Sequence, residues 1–176
     1  MDESGVNLAF VRDYARSEKG KRVYGERPSR TKNVSVVGAI SLKEGLLAQW
    51  STLGYMDALT FDAFIAQKLG PKLWKGAVVI MDNCSIHKSQ EIEALITSFG
   101  ATLMYLPPYS PDFSPIENCW SKIKSILRTI AARTYSDLLT ALESAFSRVT
   151  KQDLLGWFTH CCYCTEEDWE SQSNEA

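Results

Sequence analysis

Apolar residues recur along this chain with two different periods, and these periods predict strands and helices in a definite order. Runs of β-branched and apolar residues between turns predict strands, because such side chains pack well on a pleated surface. Five segments fit this description: residues 5–11, 33–41, 46–50, 77–81 and 102–106. The turn at 43–45 predicts a hairpin between the second and third strands.

Apolar residues spaced three and four apart predict helices in the remaining segments. The predicted helices cover residues 57–73, 89–99, 114–132, 136–149 and 152–158. Ser89 and Ser136 are expected to cap their helices, Gly100 to end one, and Pro71 to interrupt the first. Three antiparallel strands followed by strand–helix alternation predict an α/β fold with a mixed five-stranded sheet and helices on both faces.

The helix predicted at 114–132 begins with several start signals. Ser114, Pro115 and Glu117 combine an N-cap, a proline at the first helical position and the acidic residue of a capping box. Four apolar residues form its predicted buried stripe: Ile116, Trp120, Ile123 and Leu127. Glu117 therefore has a structural explanation as a cap, besides any chemical role.

The composition is that of one ordinary globular domain. The chain has 176 residues, of which 45% are hydrophobic and 23% charged, and no apolar run is long enough to cross a bilayer. No secretory signal is visible, so we expect a cytoplasmic protein. Residues 1–164 are predicted to form the domain, and residues 165–176 an acidic, disordered tail.

The net charge of -2 hides an uneven distribution of charge. Basic residues dominate the segment 12–32 and recur along the helix after Glu117, whereas the tail is acidic. Basic surfaces of this kind suit contacts with nucleic-acid phosphates. The alternative explanation is a solvated loop and a solvated helix face, which need no ligand.

The five cysteines do not resemble a disulfide framework, because three of them are bunched at Cys161, Cys162 and Cys164. We interpret them as reduced thiols. The neighbouring His160 raises the alternative of a zinc site. Adjacent cysteines rarely both reach one tetrahedral ion, however, and the sequence has no second Cys-x-x-Cys half.

Two acidic residues follow elements that can bring them into one site. Asp82 ends the buried strand at 77–81, at the edge where α/β proteins place ligand groups. Glu117 follows a loop that prolines stiffen. Carboxylates from separate elements suit a divalent cation. The alternative for Asp82 is a turn-capping role, and Asn83 and His87 are polar candidates beside it.

The residues around these two acids also form a long and specific pattern. The dipeptide at 82–83 and His87 are followed by the segment LPPYSPDFSPIENCW at 106–120, and then by two closely spaced lysines. This pattern closely resembles the catalytic domain of DDE transposases, in the mariner-type superfamily and especially in its bacterial insertion-sequence branch. The resemblance covers about residues 2–164.

The resemblance implies a ribonuclease H-like fold and three catalytic carboxylates that hold two Mg²⁺ or Mn²⁺ ions. Asp2, Asp82 and Glu117 match these three positions. Three polar neighbours would have supporting roles: Asn83, His87 and Asn118. The implied reaction cuts DNA at transposon ends and joins the resulting 3′-hydroxyl to target DNA.

The resemblance and the basic segments together imply contacts with DNA phosphates that do not read base sequence. The candidate residues are Arg22, Arg30, Tyr109, Ser110, Lys122, Lys124 and Arg128. Tyr109 would stack on a splayed base or, alternatively, pack against the neighbouring prolines. The protein would act on DNA as a nucleoid-associated homodimer, without a membrane partner.

In the family that it resembles, further residues precede the position of Asp2 in the first strand. Those residues, and the helix-turn-helix domains that bind transposon ends, are expected to be missing from this chain. Two alternatives to an active transposase therefore stay open. One is a remnant that only binds DNA or a partner subunit. The other is a different metal-dependent nuclease on the same fold, such as a ribonuclease H or a Holliday-junction resolvase.

Overall fold

A computed structural model describes residues 1–12, 14–26, 31–83 and 90–164 of the chain. The predicted cap Ser89 and the predicted acidic tail at 165–176 lie outside these residues.

The described strands form a three-stranded and a two-stranded sheet. The strands are β1 Asp2–Val6, β2 Val34–Ser41, β3 Gly45–Leu53, β4 Val78–Met81 and β5 Thr102–Tyr105. Strands β1, β2 and β3 pair antiparallel in that order, and β4 pairs with β5 in parallel. The two groups of strands meet where the amino group of Met1 donates a hydrogen bond of 2.6 Å to the carbonyl of Ile80. The predicted mixture of antiparallel and parallel pairing is therefore present, divided between these two groups.

The helices follow the predicted order. They are α1 Ala58–Phe64, α2 Gln90–Ser98, α3 Pro115–Ile130, α4 Tyr135–Ser147 and α5 Lys151–His160. Helix α1 continues as a π-helical turn at Ile65–Leu69 and a 3₁₀ turn at Gly70–Lys72, where Pro71 ends it. A further 3₁₀ turn at Pro111–Phe113 leads into α3.

The prediction of a strand at 5–11 is wrong, because β1 spans Asp2–Val6 instead. The chain turns directly after Val6, where the side chain of Asn7 accepts a hydrogen bond of 2.9 Å from the Ala9 amide. Two of the inward positions of β1 are polar, since Asp2 and Ser4 are both buried. A search for alternating apolar residues misses a strand whose buried positions are polar.

Two helix starts also differ from the prediction. Helix α4 is capped by Thr134, whose side chain accepts from the amide of Asp137, and not by the predicted Ser136. Helix α5 begins with an unpredicted capping box, in which Thr150 and Asp153 each bond to the backbone of the other. Serine and threonine both make good caps, so the choice between neighbouring candidates depends on where the helix docks.

The two faces of β2 hold two separate hydrophobic cores. Val34 and Val36 pack with α3 and α4 on one face, while Val37 and Ala39 pack with α1 and α2 on the other. Successive strand residues point to opposite faces, so a run of consecutive valines can serve both cores. This arrangement confirms the prediction of helices on both faces of the sheet.

The close approach of Gly70 to Phe99 gives a test of this packing. A Cβ atom at Gly70 would lie 2.1 Å from the Phe99 ring, a distance at which the ring or the backbone must shift. We expect Gly70→Ala to lower the free energy of unfolding by about 1–3 kcal/mol, measured by urea denaturation. The control is Gly156→Ala in α5, where a Cβ meets nothing within 4 Å. Helix propensity predicts a gain of about 0.5–1 kcal/mol there. Equal effects of the two substitutions would contradict this packing.

Candidate active site

Three acidic side chains from three separate elements line one cavity of about 510 Å³. Asp2 is the first residue of β1, Asp82 directly follows β4, and Glu117 lies in the first turn of α3. The structure therefore brings together the three carboxylates that were predicted from the sequence. Asn83 lines the same cavity.

The loop between β5 and α3 forms the opposite wall. Its first residue, Leu106, donates its amide to the carbonyl of Met81 at 2.9 Å, which holds the loop beside Asp82. Residues 107–111 continue along the cavity. No lysine, arginine or histidine is among the described lining residues. The amino group of Met1 is a positive charge that interacts with both Asp2 and Asp82.

The Asp2 carboxylate is buried, with 9% of the residue exposed. The indole N–H of Trp120 donates a hydrogen bond of 3.0 Å to its Oδ2. In the ladder of β1 and β2, Asp2 lies opposite Gly38. Sequence reasoning placed Trp120 only in the buried stripe of α3 and missed this contact. The available signal was that a buried indole N–H needs an acceptor.

The surroundings of Asp2 favour its protonated form. Burial raises the pKa of Asp2 from 3.8 to about 6, and the charges of Glu117 and Asp82 add to this effect. The backbone N–H of Glu3 opposes the shift by bonding to the carboxylate. Both other acids raise the pKa of Asp2, which agrees with the placement of all three acids in one cavity.

Glu117 does not form the predicted capping box. Ser114 occupies the N-cap position of α3, but its side chain makes no capping hydrogen bond. The amide of Glu117 instead donates to the backbone carbonyl of Ser114 at 3.0 Å. The Glu117 residue is exposed and lines the cavity, so the capping explanation for its presence is wrong.

The other predicted polar residues have different positions. Asn83 is half-buried in the cavity wall. Asn118, next to Glu117 on α3, is half-buried but does not line the cavity. His87 lies outside the described residues.

Tyr109 projects fully into solvent from the cavity loop, with a relative exposure of 103%. This exposure contradicts the alternative that its ring packs against the neighbouring prolines. Its φ angle of 57° lies in the left-handed region, which non-glycine residues rarely occupy and which costs about 1–3 kcal/mol. Ser110, which follows it, also lines the cavity and donates a hydrogen bond of 3.3 Å to the Pro108 carbonyl.

Lys122 has a structural partner that the sequence did not indicate. Its ammonium group forms an ion pair with Asp153, the acidic residue of the α5 capping box. Burial alone would raise the pKa of Asp153, but hydrogen bonds from Lys122 and Thr150 hold this pKa below its usual value. Lys122 thus ties α3 to α5, and its contact with a DNA phosphate stays a prediction.

Two further basic residues lie on α3 or beside its end. Arg128 is exposed, with its guanidinium 5.2 Å from the centre of the Phe10 ring. Arg12 donates a hydrogen bond of 3.0 Å to the Thr129 hydroxyl, so the basic loop, the segment 12–32, is attached to the end of α3. Lys124 is half-buried and Arg22 is exposed. The remaining candidate, Arg30, lies outside the described residues.

In the part of the chain that the structure describes, no three His, Cys, Asp or Glu side chains are close enough together to enclose a metal ion. The three acids therefore surround the cavity without converging on one point. Like charges repel, and both Asp82 and Glu117 are exposed enough to separate. The set of donors is nevertheless all oxygen, as Mg²⁺ and Mn²⁺ prefer.

The cysteines described near the end of α5 carry free thiols: Cys161 is buried, Cys162 is exposed and Cys164 is half-buried. Together with His160 they form no metal-holding group among the described residues. Burial raises the pKa of the Cys161 thiol, which disfavours the thiolate that a zinc ion needs.

The described helices include none that combines the length and the apolar character required to traverse a bilayer.

Comparisons with known proteins connect this arrangement to a family. A family model described as DDE superfamily endonuclease matches residues 1–139, which include all three acids. An uncharacterized protein of Sinorhizobium fredii, y4pE/y4sA, is 28% identical over 120 residues, which cover 66% of this chain and 85% of that protein.

Solved structures of the Mos1 mariner transposase share the fold. The Mos1 strand transfer complex matches with a TM-score of 0.75 and 15% identity, covering 96% of this chain and 51% of that one. The Mos1 mariner paired end complex with Mn matches with a TM-score of 0.73 and 15% identity, covering 96% and 53%. The chain thus spans about half the length of these structures.

The family match and the fold agree with the expectation drawn from the residues at 82–83 and 106–120. The likeness to Mos1 confirms the ribonuclease H-like fold, and the placement in a bacterial insertion-sequence branch stays a prediction. Because the family model matches more than half of the chain, this protein belongs to the DDE endonuclease superfamily.

Proposed function

We propose that this chain is the catalytic domain of a DNA transposase, which cuts DNA at a transposon end and joins the 3′-hydroxyl to target DNA. The observation that carries the proposal is the cavity shared by Asp2, Asp82 and Glu117, three acids that three separate elements bring to one wall. Carboxylate oxygens from separate elements are the ligands that Mg²⁺ and Mn²⁺ prefer, so the site suits divalent metal ions.

The three acids would contribute differently to the binding of these ions. Asp2 and Asp82 would share two Mg²⁺ or Mn²⁺ ions, and Glu117 would complete the coordination of one. Two such ions, when bound, stabilise the attacking and the leaving oxygens of an in-line displacement at phosphorus. Asp2 is held rigidly by its burial, whereas the exposed Asp82 and Glu117 can adjust to the ligand.

No side chain has to attack the phosphorus in this reaction. Water cleaves the phosphodiester bond and releases a 3′-hydroxyl, and that hydroxyl then attacks a bond in target DNA with release of the old 3′-oxygen. The lining residues that the structure describes include no cysteine, and the Ser110 hydroxyl already donates to the Pro108 carbonyl. The chain therefore binds and orients DNA without forming a covalent intermediate.

Helix α3 offers a path for the DNA backbone away from the cavity. Lys124 and Arg128 follow Glu117 by seven and eleven residues, close to two and three turns, so they share its side of the helix. The basic loop, joined to α3 through Arg12, continues this surface. Its exposed Arg22 and the predicted Arg30 would extend the contacts with phosphates.

The exposed ring of Tyr109 is placed to stack on a base that leaves the duplex near the cavity. A residue held in the left-handed region at an exposed loop tip is typical of a functional position.

Cutting and joining two transposon ends calls for two active sites, so we propose that the protein acts as a homodimer on DNA in the cytoplasm. The Mos1 structures include a paired-end complex with the left transposon end, which supports this arrangement by analogy. Strand-transfer assays on paired DNA ends distinguish the alternatives. Nicking without joining would indicate another nuclease of this fold, and binding without either reaction would indicate a remnant.

The first test replaces the two exposed acids. Asp82→Asn and Glu117→Gln should each lower Mg²⁺- or Mn²⁺-dependent DNA nicking at least about 100-fold, because each removes a charged ligand. Stability in the absence of metal should change by no more than about 1–2 kcal/mol, since the acids repel each other. Asp112→Asn, in the 3₁₀ turn of the same loop but not in the cavity lining, is the matched control. Nicking at the parent rate in either variant would remove the catalytic assignment.

The second test separates two neighbouring lysines. Lys124→Gln should weaken DNA binding and reduce the slope of log K against log[salt] by about 1, with unchanged stability. Lys122→Gln should lower the free energy of unfolding by about 1 kcal/mol, because Asp153 loses its partner, and should leave the salt slope unchanged. Fluorescence anisotropy and urea denaturation measure the two effects, and the reverse pattern would contradict the assignment.

The third test uses the pKa of Asp2, which is raised to about 6 in the folded protein. A raised carboxyl pKa means that the folded state holds the proton more tightly than the unfolded state. The stabilising contribution is therefore complete below about pH 4 and is lost as the pH rises through about 6, by about 2–3 kcal/mol in total.

Denaturation in the presence of a chelator should show this loss in the parent and a flatter profile in Asp2→Asn. The affinity for Mg²⁺ should also fall by up to about tenfold per pH unit below about pH 6, as protons compete for Asp2. Matching pH profiles of parent and variant would show that Asp2 titrates normally.

A further inference from the structure

We infer that Trp120 is a positioning residue for metal binding: its indole holds one oxygen of Asp2 so that the other is presented to the cavity. The inference rests on the proposed function, since it concerns how a ligand of the proposed metal site is oriented. It starts from the hydrogen bond of 3.0 Å between the Trp120 Nε1 and the Asp2 Oδ2.

Both partners of this bond are shielded from water. Trp120 is 3% exposed and Asp2 is 9% exposed. A hydrogen bond to a charged group in such surroundings is stronger than the same bond in water. The terminal torsion of an aspartate has a broad energy well, so an isolated carboxylate rotates easily. The indole N–H can only donate, so together with the Glu3 N–H it favours the orientation in which Oδ2 faces the ring and Oδ1 is turned away from it.

The indole can occupy this position because β2 has a glycine opposite Asp2. A Cβ atom on Gly38 would lie 3.0 Å from Cη2 and 3.5 Å from Cζ2 of Trp120. The first distance is tighter than about nine in ten contacts of real Cβ atoms, so with an alanine the ring would have to move by a few tenths of an ångström. Gly38 and Trp120 thus form a matched pair around Asp2, one providing the space and the other filling it.

The bond also links two of the three acids. Trp120 follows Glu117 by three residues on α3, so one helix carries both an acid of the site and the donor to another acid. Any shift of α3 along β1 would stretch the bond, which therefore restrains the backbone of α3 at Glu117 relative to Asp2 while the Glu117 side chain stays free to adjust. Because the indole is neutral, it orients Asp2 without cancelling the negative charge that attracts cations. A lysine or arginine in its place would compete with the metal ions.

The experiment measures Mn²⁺ binding to the folded protein, by electron paramagnetic resonance or calorimetry. Trp120→Phe removes the donor and keeps an aromatic ring. We expect its Mn²⁺ affinity to fall about 10–100-fold, the usual loss when a hydrogen-bonding partner of a metal ligand is removed. The control is Ile123→Val, one turn further along the same buried stripe, which shortens a core side chain without removing a hydrogen bond. Its Mn²⁺ affinity should stay within about twofold of that of the parent.

Gly38→Ala gives a second and independent perturbation, because it leaves both Trp120 and Asp2 in place. The displaced ring should lengthen the bond, so Mn²⁺ affinity should again fall, by less than in Trp120→Phe. A readout without metal comes from the indole N–H resonance of Trp120, which should shift upfield and exchange faster with solvent in Asp2→Ala.

The outcomes separate the inference from the proposed function. If Asp2→Asn weakens Mn²⁺ binding but Trp120→Phe and Gly38→Ala bind as the parent does, the positioning role is wrong while the metal site stands. If the parent binds no Mn²⁺, or if Asp2→Asn has no effect on binding, the proposed function fails and the inference fails with it. Equal losses in Trp120→Phe and Ile123→Val would show a general effect of core packing and would also overturn the inference.

Discussion

The docking of α3 against β1 and β2, through the ring of Trp120, is the contact on which the rest of this molecule depends. Trp120 fills the space above Gly38, packs edge-on against Phe146 of α4 at a ring separation of 5.9 Å, and donates its N–H to Asp2. One side chain therefore joins the sheet, two helices and a site carboxylate. Since α3 also carries Glu117, the packing of the core and the geometry of the cavity are set together.

Electrostatics places a second constraint on the cavity. Burial of Asp2 raises its pKa to about 6, and the charges of Glu117 and Asp82 add to this effect while the amino group of Met1 opposes it. A buried carboxylate beside further acids costs stability, and a protein under selection for stability alone would neutralise or replace it. Divalent cations, which prefer oxygen ligands, would offset this cost if they bind at the cavity.

The basic residues of α3 lie in two different environments although they look alike in the sequence. Lys122 turns toward Asp153 and secures α5, whose first turn depends on the same aspartate through its capping box. Lys124 and Arg128 lie on the side of Glu117 and lead from the cavity toward the basic loop. Two positions along a helix rotate a side chain by about 200°, enough to change a surface charge into a structural one.

Much of the fold and the site follows from local sequence. The valines of β2, the start of α3 and its buried stripe, and the acids at Asp82 and Glu117 were all recognisable, because these signals depend on neighbouring residues. Only the tertiary structure decided the extent of β1, whose inward positions at Asp2 and Ser4 are polar, and the partner of Lys122. It also decided the bond from Trp120 to Asp2, which joins residues 118 positions apart. No local pattern encodes such a contact, since it exists only once separate elements have packed and a buried donor must find its acceptor.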